Sequence, residues 1–445
     1  MSQPEQQRLE VLTQQILDEA KAQGATAAEA GSHVEEGYST SVRMGELETI
    51  ERHKDCGMGV TVYFGQRKGT SSTSDFSDAA VKAAVRAACD IARYTEEDPY
   101  AGLADPEQMA TEFPDLELDQ PWSVDVEQSV DLALACEQAA LESDSRIINS
   151  DGGSVSSHRS LRVYGNSNGF LAGYGSSRHG LSCSVVAQQP GHSEMERDYW
   201  YSSSRDPEQL EAASEVGKRA AERTLARLGG RKGKTSQMPV LFDATISSGL
   251  IGHLMAAIRG GSLYRKASFL QDQLGELLFP EWVTIHEQPH LKRASASAPF
   301  DSDGVATRSQ NFVTDGVLNS YVLDTYSARR LDMETTGNGG GVRNLRMSHG
   351  EQSQADLLRE MGDGLLVTEL MGQGINMVTG DYSRGASGFW IEGGEIAYPV
   401  EEITIASNLK EMFKQIVAVG SDTDLRGNVQ TGSILIERID RKSVV

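Results

Sequence analysis

The sequence predicts an α+β protein with an N-terminal α+β domain at 1–98, a central α+β domain at 122–230 and a larger, strand-rich C-terminal domain at 235–445 with mostly antiparallel sheets. Three observations support this prediction. The length of 445 residues suits two or three domains of about 150 residues each. Helical and strand-like patterns alternate along the chain. Polar segments separate the regions: an acidic, Pro-containing linker at 99–121 and a Gly/Lys segment near 229–234.

The N-terminal domain is predicted to combine two helices with a sheet. Residues 6–23 carry apolar side chains at helical spacing, which predicts an amphipathic helix. Residues 28–73 show short alternating runs broken by glycines, a pattern typical of an antiparallel sheet. Ser77 is a suitable N-cap for a second helix from 78 to about 94.

Negative charge is concentrated in one window of the chain. The formal charge is −23, and residues 95–144 hold 15 acidic side chains with no Lys or Arg. Four prolines punctuate the first half of this window. The combination predicts an extended, solvated crossing between domains, with a strip that docks a basic partner as the alternative.

The central and C-terminal regions also mix helices and strands. Residues 123–143 and 207–228 have helical spacing, and 146–204 is rich in Gly, Ser, Tyr and Val with period-two stretches. Further along the chain, helices are predicted near 246–259 and 352–363 among many strands. Two of these strands should meet at a tight turn, Glu392-Gly393-Gly394-Glu395.

Composition excludes several classes of function. A net negative charge is the wrong sign for nonspecific binding to a phosphate backbone, so no direct nucleic-acid partner is expected. No stretch approaches the roughly 18 apolar residues of a membrane helix, so no membrane partner is expected either. The polar N-terminus lacks the pattern of a signal peptide, and the four cysteines form no CxxC pair. A cytoplasmic location is therefore predicted.

The segment His286-Glu287-Gln288-Pro289-His290 matches HExxH, the pattern of zinc metallopeptidases. That chemistry needs a helix that places both imidazoles on one face. Pro289 disfavours a helix because it lacks an N–H and its ring clashes with a preceding carbonyl. The flanking sequence predicts a strand at 282–285 and a loop at 295–299. Loop histidines are therefore the preferred interpretation, and a metal site at His286, Glu287 and His290 is the weak alternative.

A second histidine, His253, lies in a predicted helix of mostly apolar residues. Taken alone it is a core histidine. The stretch around it, however, is one of four blocks at which the chain resembles the PmbA/TldE branch of the TldD/TldE (PmbA/TldD) metallopeptidase family, also called modulators of DNA gyrase. These blocks are 249–269, 298–305, 335–341 and 379–392. The resemblance covers nearly the whole chain.

The resemblance implies that the zinc site is lost. In the TldD branch, the corresponding helix carries HExxxH, two zinc-binding histidines and a general-base glutamate, and a cysteine near the C-terminus adds a ligand. His253 falls at the first histidine, but Leu254 replaces the glutamate and Ile258 replaces the second histidine. The tail at 420–445 contains no cysteine. We therefore expect no catalytic residue and no metal in this chain, with zinc carried by a TldD-like partner.

Two glycine-rich segments are candidates for a peptide cleft or a partner interface. In each case the alternative is an ordinary structural turn. Arg265 would suit a substrate carboxylate, and the glycines would allow a peptide to approach the backbone closely. The candidate residues are Ser262, Tyr264, Arg265, Gly337, Asn338, Gly339, Gly340 and Arg343.

The resemblance thus implies a non-catalytic subunit of a cytosolic zinc metallopeptidase complex. Its partner would be a TldD-like chain, and its substrates small or unfolded peptides, as in microcin maturation and antitoxin degradation by relatives. An isolated chain could form a homodimer through its exposed partner-binding face. Two alternatives remain open. The chain could be a metallopeptidase in its own right, or a non-enzymatic protein that binds DNA gyrase.

Overall fold

The computed structural model describes residues 3–232 and 236–443, with side chains through residue 440. The α+β fold class is confirmed, including a strand-rich C-terminal region with mostly antiparallel sheets. Residues 3–226 build a sheet with helices on one face, and residues 231–232 and 236–443 contribute to two further sheets around a large core. None of the described helices has the length and apolar character needed to cross a membrane.

Helices occur in both halves of the chain, and the longest lie in the N-terminal half. The α-helices are α1 (Gln3–Ala22), α2 (Asp78–Tyr94), α3 (Val126–Leu141), α4 (Ala213–Ala226), α5 (Ala244–Ala257), α6 (Gly260–Tyr264), α7 (Thr325–Arg330), α8 (Gln354–Met361) and α9 (Leu409–Lys414). Ser77 caps α2 as predicted, because its side chain accepts a hydrogen bond from the Ala80 N–H. The helix predicted from 207 begins only at Ala213, because Pro207 opens a short 3₁₀ turn instead.

The strands vary widely in length, and the longest build the N-terminal sheet. They are β1 (Ala27–Arg43), β2 (Glu46–Phe64), β3 (Arg67–Thr73), β4 (Ile147–Asn166), β5 (Leu171–Gln188), β6 (Met195–Ser204), β7 (Arg231–Lys232), β8 (Ser236–Phe242), β9 (Ile285–Glu287), β10 (Gln310–Thr314), β11 (Val317–Leu318), β12 (Leu345–Met347), β13 (Gly364–Met371), β14 (Asp381–Glu392), β15 (Glu395–Asn408), β16 (Ile416–Val419), β17 (Val429–Gln430) and β18 (Ile434–Ser443). The predicted turn at 392–395 joins β14 to β15, with Gly393 and Gly394 at positive φ.

The N-terminal sheet has the strand order β3-β2-β1-β4-β5-β6 and is antiparallel throughout. Strand β1 pairs with β2 on one side and with β4 on the other, so the sheet is continuous from the N-terminal into the central segment. Val34 packs with α1 and α2, whereas Val42 packs with α3 and α4. Both residues occupy even positions of β1, so the two helix pairs cover the same face of the sheet.

Segment 99–121 is packed against the protein, which corrects the expectation of a solvated crossing. Leu103, Leu116 and Leu118 are buried. Asp119 accepts two hydrogen bonds from the Arg159 guanidinium, at 2.8 and 2.6 Å. The apolar residues scattered among the acids therefore dominate, because burying them favours contact with the sheet.

The C-terminal region contains a closed sheet and a smaller one. Strands β18, β8, β13, β14 and β15 are hydrogen-bonded in that order, and β18 also pairs with β15, which closes the ring. The smaller sheet has the order β11-β10-β9-β12-β17. Parallel pairs occur at β8–β13, β12–β17 and β15–β7 within otherwise antiparallel sheets. Helix α5 packs in the core that both sheets share.

Gly217→Ala should lower the thermal stability of the protein. A Cβ at Gly217 of α4 would lie 1.9 Å from the Cys136 carbonyl oxygen of α3, so the two helices would have to separate. Such overpacking costs about 1–3 kcal/mol. The matched control is Gly249→Ala in α5, where a Cβ meets no atom within 4 Å and helix propensity favours alanine by about 0.5–1 kcal/mol. Thermal midpoints of the two variants check this; a similar change in both would contradict it.

Candidate functional site

The position of His253 is determined by α5. The Asp243 side chain caps this helix by accepting a hydrogen bond from the Thr245 N–H at 2.9 Å. One face of the helix packs in the core between the closed sheet and the smaller sheet. Leu254 and Ile258 are 0% exposed there. The residues that replace the glutamate and the second histidine of HExxxH are therefore fully buried core side chains.

His253 itself is half-buried beside β14. Its ring meets that of Tyr382 edge-on, with 6.1 Å between centroids. Burial, and secondarily the nearby Arg384 cation, lowers the pKa of His253. Burial also raises the pKa of Tyr382 to about 12, and its hydroxyl has no hydrogen-bond partner among the described residues. At neutral pH both side chains are uncharged in an apolar setting.

These surroundings do not fit a catalytic zinc ion. Such an ion needs three protein ligands and an open position. Among the side chains described, no group of three histidine, cysteine or carboxylate ligands includes His253. The neighbouring Arg384 also adds positive charge where a metal cation would bind. No catalytic step can be assigned to a metal at this position.

Tyr264 lies at the seam between the C-terminal region and the start of the acidic segment. Its ring meets Tyr326 at 5.8 Å between centroids, and the Arg330 guanidinium lies 4.9 Å from it and 4.8 Å from Tyr100. The Tyr326 hydroxyl donates a hydrogen bond to Asp98 at 2.8 Å. The arrangement connects α6 and α7 to residues 98–100, next to a cavity of about 490 Å³ at the same seam.

The other two candidates on this segment have different environments. The Ser262 hydroxyl donates to the Ala256 carbonyl at 2.9 Å, which ties α6 to the end of α5. Arg265 is exposed beside Tyr264, with its guanidinium 5.3 Å from the ring centroid. Arg265 is thus the group of this segment best placed to reach a ligand.

The glycine segment forms a loop held by its own hydrogen bonds. Gly337, Asn338 and Gly339 are buried, while Gly340 is exposed. Gly337 and Gly340 have φ values of 72° and 85°, which glycine adopts without strain. Arg343 donates to the carbonyls of Gly339 and Gly341 and so closes the loop. Only the tip of this loop is open to a ligand.

Glu287 of the HEQPH segment anchors the same loop. It lies on β9, is 1% exposed, and accepts hydrogen bonds from the side chains of Gln310 and Asn338 and from the Arg343 N–H. Burial raises the pKa of Glu287, and these donors partly offset that effect. The strand predicted at 282–285 in fact occupies Ile285–Glu287 and so includes the first half of the motif.

The histidines of the segment do not converge with Glu287. His286 Nδ1 lies 2.5 Å from the Asn311 Oδ1, and His290 Nε2 lies 2.9 Å from the Thr307 hydroxyl. Adjacent residues of a strand point to opposite faces, so His286 and Glu287 cannot both face one ion. Within the described residues, no three-ligand group includes any of the three side chains.

Asp301 is a structural anchor that the sequence analysis did not single out. It is fully buried and accepts hydrogen bonds from the N–H groups of Gly339, Asp303 and Val305, at 2.7, 2.8 and 2.9 Å. An aspartate two residues before another and followed by glycine was the available signal, since Asx turns use this pattern. Its contact with Gly339, which comes much later in the chain, was not predictable locally.

Comparison with known proteins places the whole chain in one family. Models of the PmbA/TldA metallopeptidase domain 1, central domain and C-terminal domain match residues 28–92, 119–228 and 235–443. The chain belongs to the PmbA/TldD metallopeptidase family. It is 49% identical to the metalloprotease PmbA of Escherichia coli O157:H7 over 420 residues, which cover 94% of this chain and 92% of that protein.

Solved structures agree with this assignment. A protein of Bacteroides thetaiotaomicron, described as a candidate modulator of DNA gyrase, superposes with a TM-score of 0.93 at 29% identity and covers 98% of each chain. TldE of Thermococcus kodakarensis shares the fold, with a TM-score of 0.84 at 20% identity, over 97% of this chain and 100% of that one.

Asp301→Asn should remove part of the pH dependence of stability. Burial, and secondarily the nearby Asp303, raises the pKa of Asp301 to about 7. The folded state therefore holds this proton more tightly than the unfolded chain. The contribution of Asp301 to the free energy of unfolding is therefore fully present below about pH 4, the pKa of a carboxyl group in the unfolded chain. It is lost as the pH rises through about 7, with a slope of at most about 1.4 kcal/mol per pH unit.

The measurement is the free energy of unfolding of both proteins between pH 4 and 8. The wild type should lose stability relative to Asp301→Asn as the pH rises, even if the variant is weaker overall because it loses an acceptor for the Gly339 N–H. A difference that stays constant across this range would show that Asp301 is ionised throughout.

Proposed function

We propose that this chain is a non-catalytic subunit of a TldD/TldE-type zinc metallopeptidase complex in the cytoplasm. It pairs with a TldD-like chain that holds the zinc, and the pair cleaves small or unfolded peptides. The observation that carries the proposal is the conversion of the α5 site into core, with Leu254 and Ile258 fully buried. Membership of the PmbA/TldD family supplies the peptidase context.

The energetics of α5 support the loss of catalysis in this chain. Burial of Leu254 and Ile258 stabilises the folded protein, by about 1.5–3 kcal/mol per large aliphatic side chain. A glutamate or a histidine at the same positions would lose its hydration without a partner. In this proposal the family's peptidase chemistry comes from another polypeptide, and the likeness to TldE supports a TldD-like one.

The seam around Tyr264 and Arg265 is the surface we assign to the peptide cleft or the partner interface. The exposed guanidinium of Arg265 suits a carboxylate, including the C-terminus of a peptide. The exposed Gly340 at the tip of the glycine loop allows close approach of another backbone. Recognition of main chain rather than side chains suits a peptidase that accepts many unfolded sequences.

The alternative is that this chain is a metallopeptidase in its own right, with a metal held by His253 or by the HEQPH segment. Neither position brings together a set of metal ligands among the described residues. In the described part of the chain, no three-ligand group includes His253, and the side chains of His286, Glu287 and His290 are engaged with different neighbours. The alternative survives only if the isolated chain cleaves peptides in a metal-dependent manner.

A second candidate function, gyrase binding, is favoured by the description of the Bacteroides protein. Its physical basis would be an acidic strip that imitates DNA. Several acids of segment 99–121 are already paired within the chain, however. Asp105 pairs with Arg329, and Glu117 pairs with Lys292 and Arg293. Fewer charges are therefore free to imitate a phosphate backbone than the sequence alone indicates.

The first test is reconstitution of peptidase activity with a TldD-like chain from the same organism. We expect no zinc-dependent cleavage of an unfolded peptide by this chain alone and cleavage by the mixture. His253→Ala should leave the mixture active within about twofold, because a lone imidazole cannot hold a catalytic zinc. Cleavage by this chain alone, abolished by His253→Ala, would establish the opposite assignment. A partner that is equally active without this chain would sink the proposal.

A charge-neutralised variant separates the peptidase from the gyrase function. Glu107, Glu112 and Asp115 are exposed and have no ion pair among the described residues. The triple variant Glu107→Gln, Glu112→Gln, Asp115→Asn should therefore fold normally and keep full partner-dependent peptidase activity. Gyrase binding is measured in parallel by co-purification at low and high salt. Salt-sensitive binding by the wild type that the triple variant loses would favour the gyrase function instead.

A further inference from the structure

A group of metal-ligating side chains lies far from α5, on the N-terminal sheet. Glu35 of β1, His53 of β2 and His158 of β4 face the same side of three neighbouring strands. This is the side opposite the helices, because odd positions of β1 face away from the even, helix-covered ones. In the part of the chain that the structure describes, it is the one group of three such ligands with mutually close donor atoms.

The distances among the donor atoms suit a tetrahedral metal ion. His53 Nε2 lies 3.3 Å from His158 Nδ1, and the Glu35 Oε1 lies 3.6 Å from the first and 3.8 Å from the second. With bonds of about 2.0–2.2 Å to nitrogen and oxygen, neighbouring donors around tetrahedral zinc are about 3.3–3.6 Å apart. The donor atoms of the three side chains thus need to move only a few tenths of an ångström closer to one another to bind one ion.

Gly37 makes this approach possible. The sheet register places Gly37 between His53 and His158, with one histidine on each side. A Cβ at Gly37 would lie 2.6 Å from the His53 Cε1 and 2.7 Å from the His158 Nδ1. Only glycine leaves room for the two imidazoles to meet above β1, with 4.9 Å between ring centroids.

The site is open to solvent. The side chains of Glu35, His53 and His158 are 43%, 41% and 38% exposed. An ion could therefore enter from water and keep water as its fourth ligand. Burial, and secondarily the neighbouring His53, lowers the pKa of His158, which favours the neutral imidazole that a metal requires.

We propose that Glu35, His53 and His158 form a binding site for a divalent transition metal ion such as Zn²⁺. Two imidazoles and one carboxylate match the ligand preference of these ions. Metal binding would require the proton between His53 Nε2 and His158 Nδ1 to move, through water, to the other nitrogen of the same neutral ring. Both facing nitrogens could then donate lone pairs to the ion, with no net loss of a proton. The metal then cross-links β2, β1 and β4 at a point where β3 no longer pairs with β2.

The experiment is titration of the purified full-length chain with Zn²⁺ by calorimetry, repeated with Co²⁺ by visible absorption. We expect one saturable Zn²⁺ per chain and the spectrum of tetrahedral Co²⁺. Both His53→Ala and His158→Ala should weaken binding by more than about tenfold, since even outer partners of metal ligands change affinity that much. Gly37→Ala should weaken it as well while keeping every ligand.

Two control variants are matched to these changes. His33→Ala removes a histidine that lies on β1 and on the same face of the sheet as Glu35. Gly31→Ala adds a Cβ whose nearest neighbour is 3.8 Å away. Both should bind Zn²⁺ like the wild type. Absence of saturable binding, or binding that survives both His53→Ala and His158→Ala, overturns the proposal. Binding lost only in His253→Ala would overturn it too, and would also contradict the proposed function, so the two failures are distinguishable.

Discussion

The burial of α5 is the constraint on which the C-terminal region depends. This helix contributes to a core shared by the closed sheet and the smaller sheet. Leu254 and Ile258 are completely buried in that core. Placing a hydrated carboxylate or imidazole there would cost the desolvation of a polar group and would open the packing of both sheets. The contacts that hold the two sheets together therefore occupy the two positions where HExxxH would place its glutamate and second histidine.

Much of the fold could be predicted because its signals are local. The Ser77 cap, the helical periodicity of α1 and α2, and the two glycines of the β14–β15 turn each depend on a few neighbouring residues. The continuous pairing of β1 with β4 could not be predicted, since it joins strands more than 100 residues apart. The prediction of a solvated crossing at 99–121 was wrong because the acidic residues dominate the composition of this segment, whereas its buried leucines are few.

In the candidate site, too, the features with local signals could be predicted, whereas those that depend on residues distant in sequence could not. The resemblance placed Leu254 and Ile258 at the positions of the glutamate and the second histidine. Pro289 argued against a helix at the HEQPH segment, and the structure places His286 and Glu287 on β9 rather than in the expected loop. The role of Glu287 as the anchor of the glycine loop was not foreseen, because its partners Gln310, Asn338 and Arg343 are distant in sequence. The meeting of His53 and His158 above Gly37 depends on strand register, which no local pattern specifies.

We expect α5 to hold no catalytic zinc. The most direct measurement is the zinc content of the double variant His53→Ala, His158→Ala, loaded with zinc, desalted and analysed by elemental mass spectrometry. Removing these histidines eliminates the one three-ligand group found among the described residues, so zinc that remains can be tested against His253 of α5. We expect essentially no zinc per chain. One zinc per chain that disappears when His253→Ala is added would contradict this expectation and would favour a metallopeptidase in its own right.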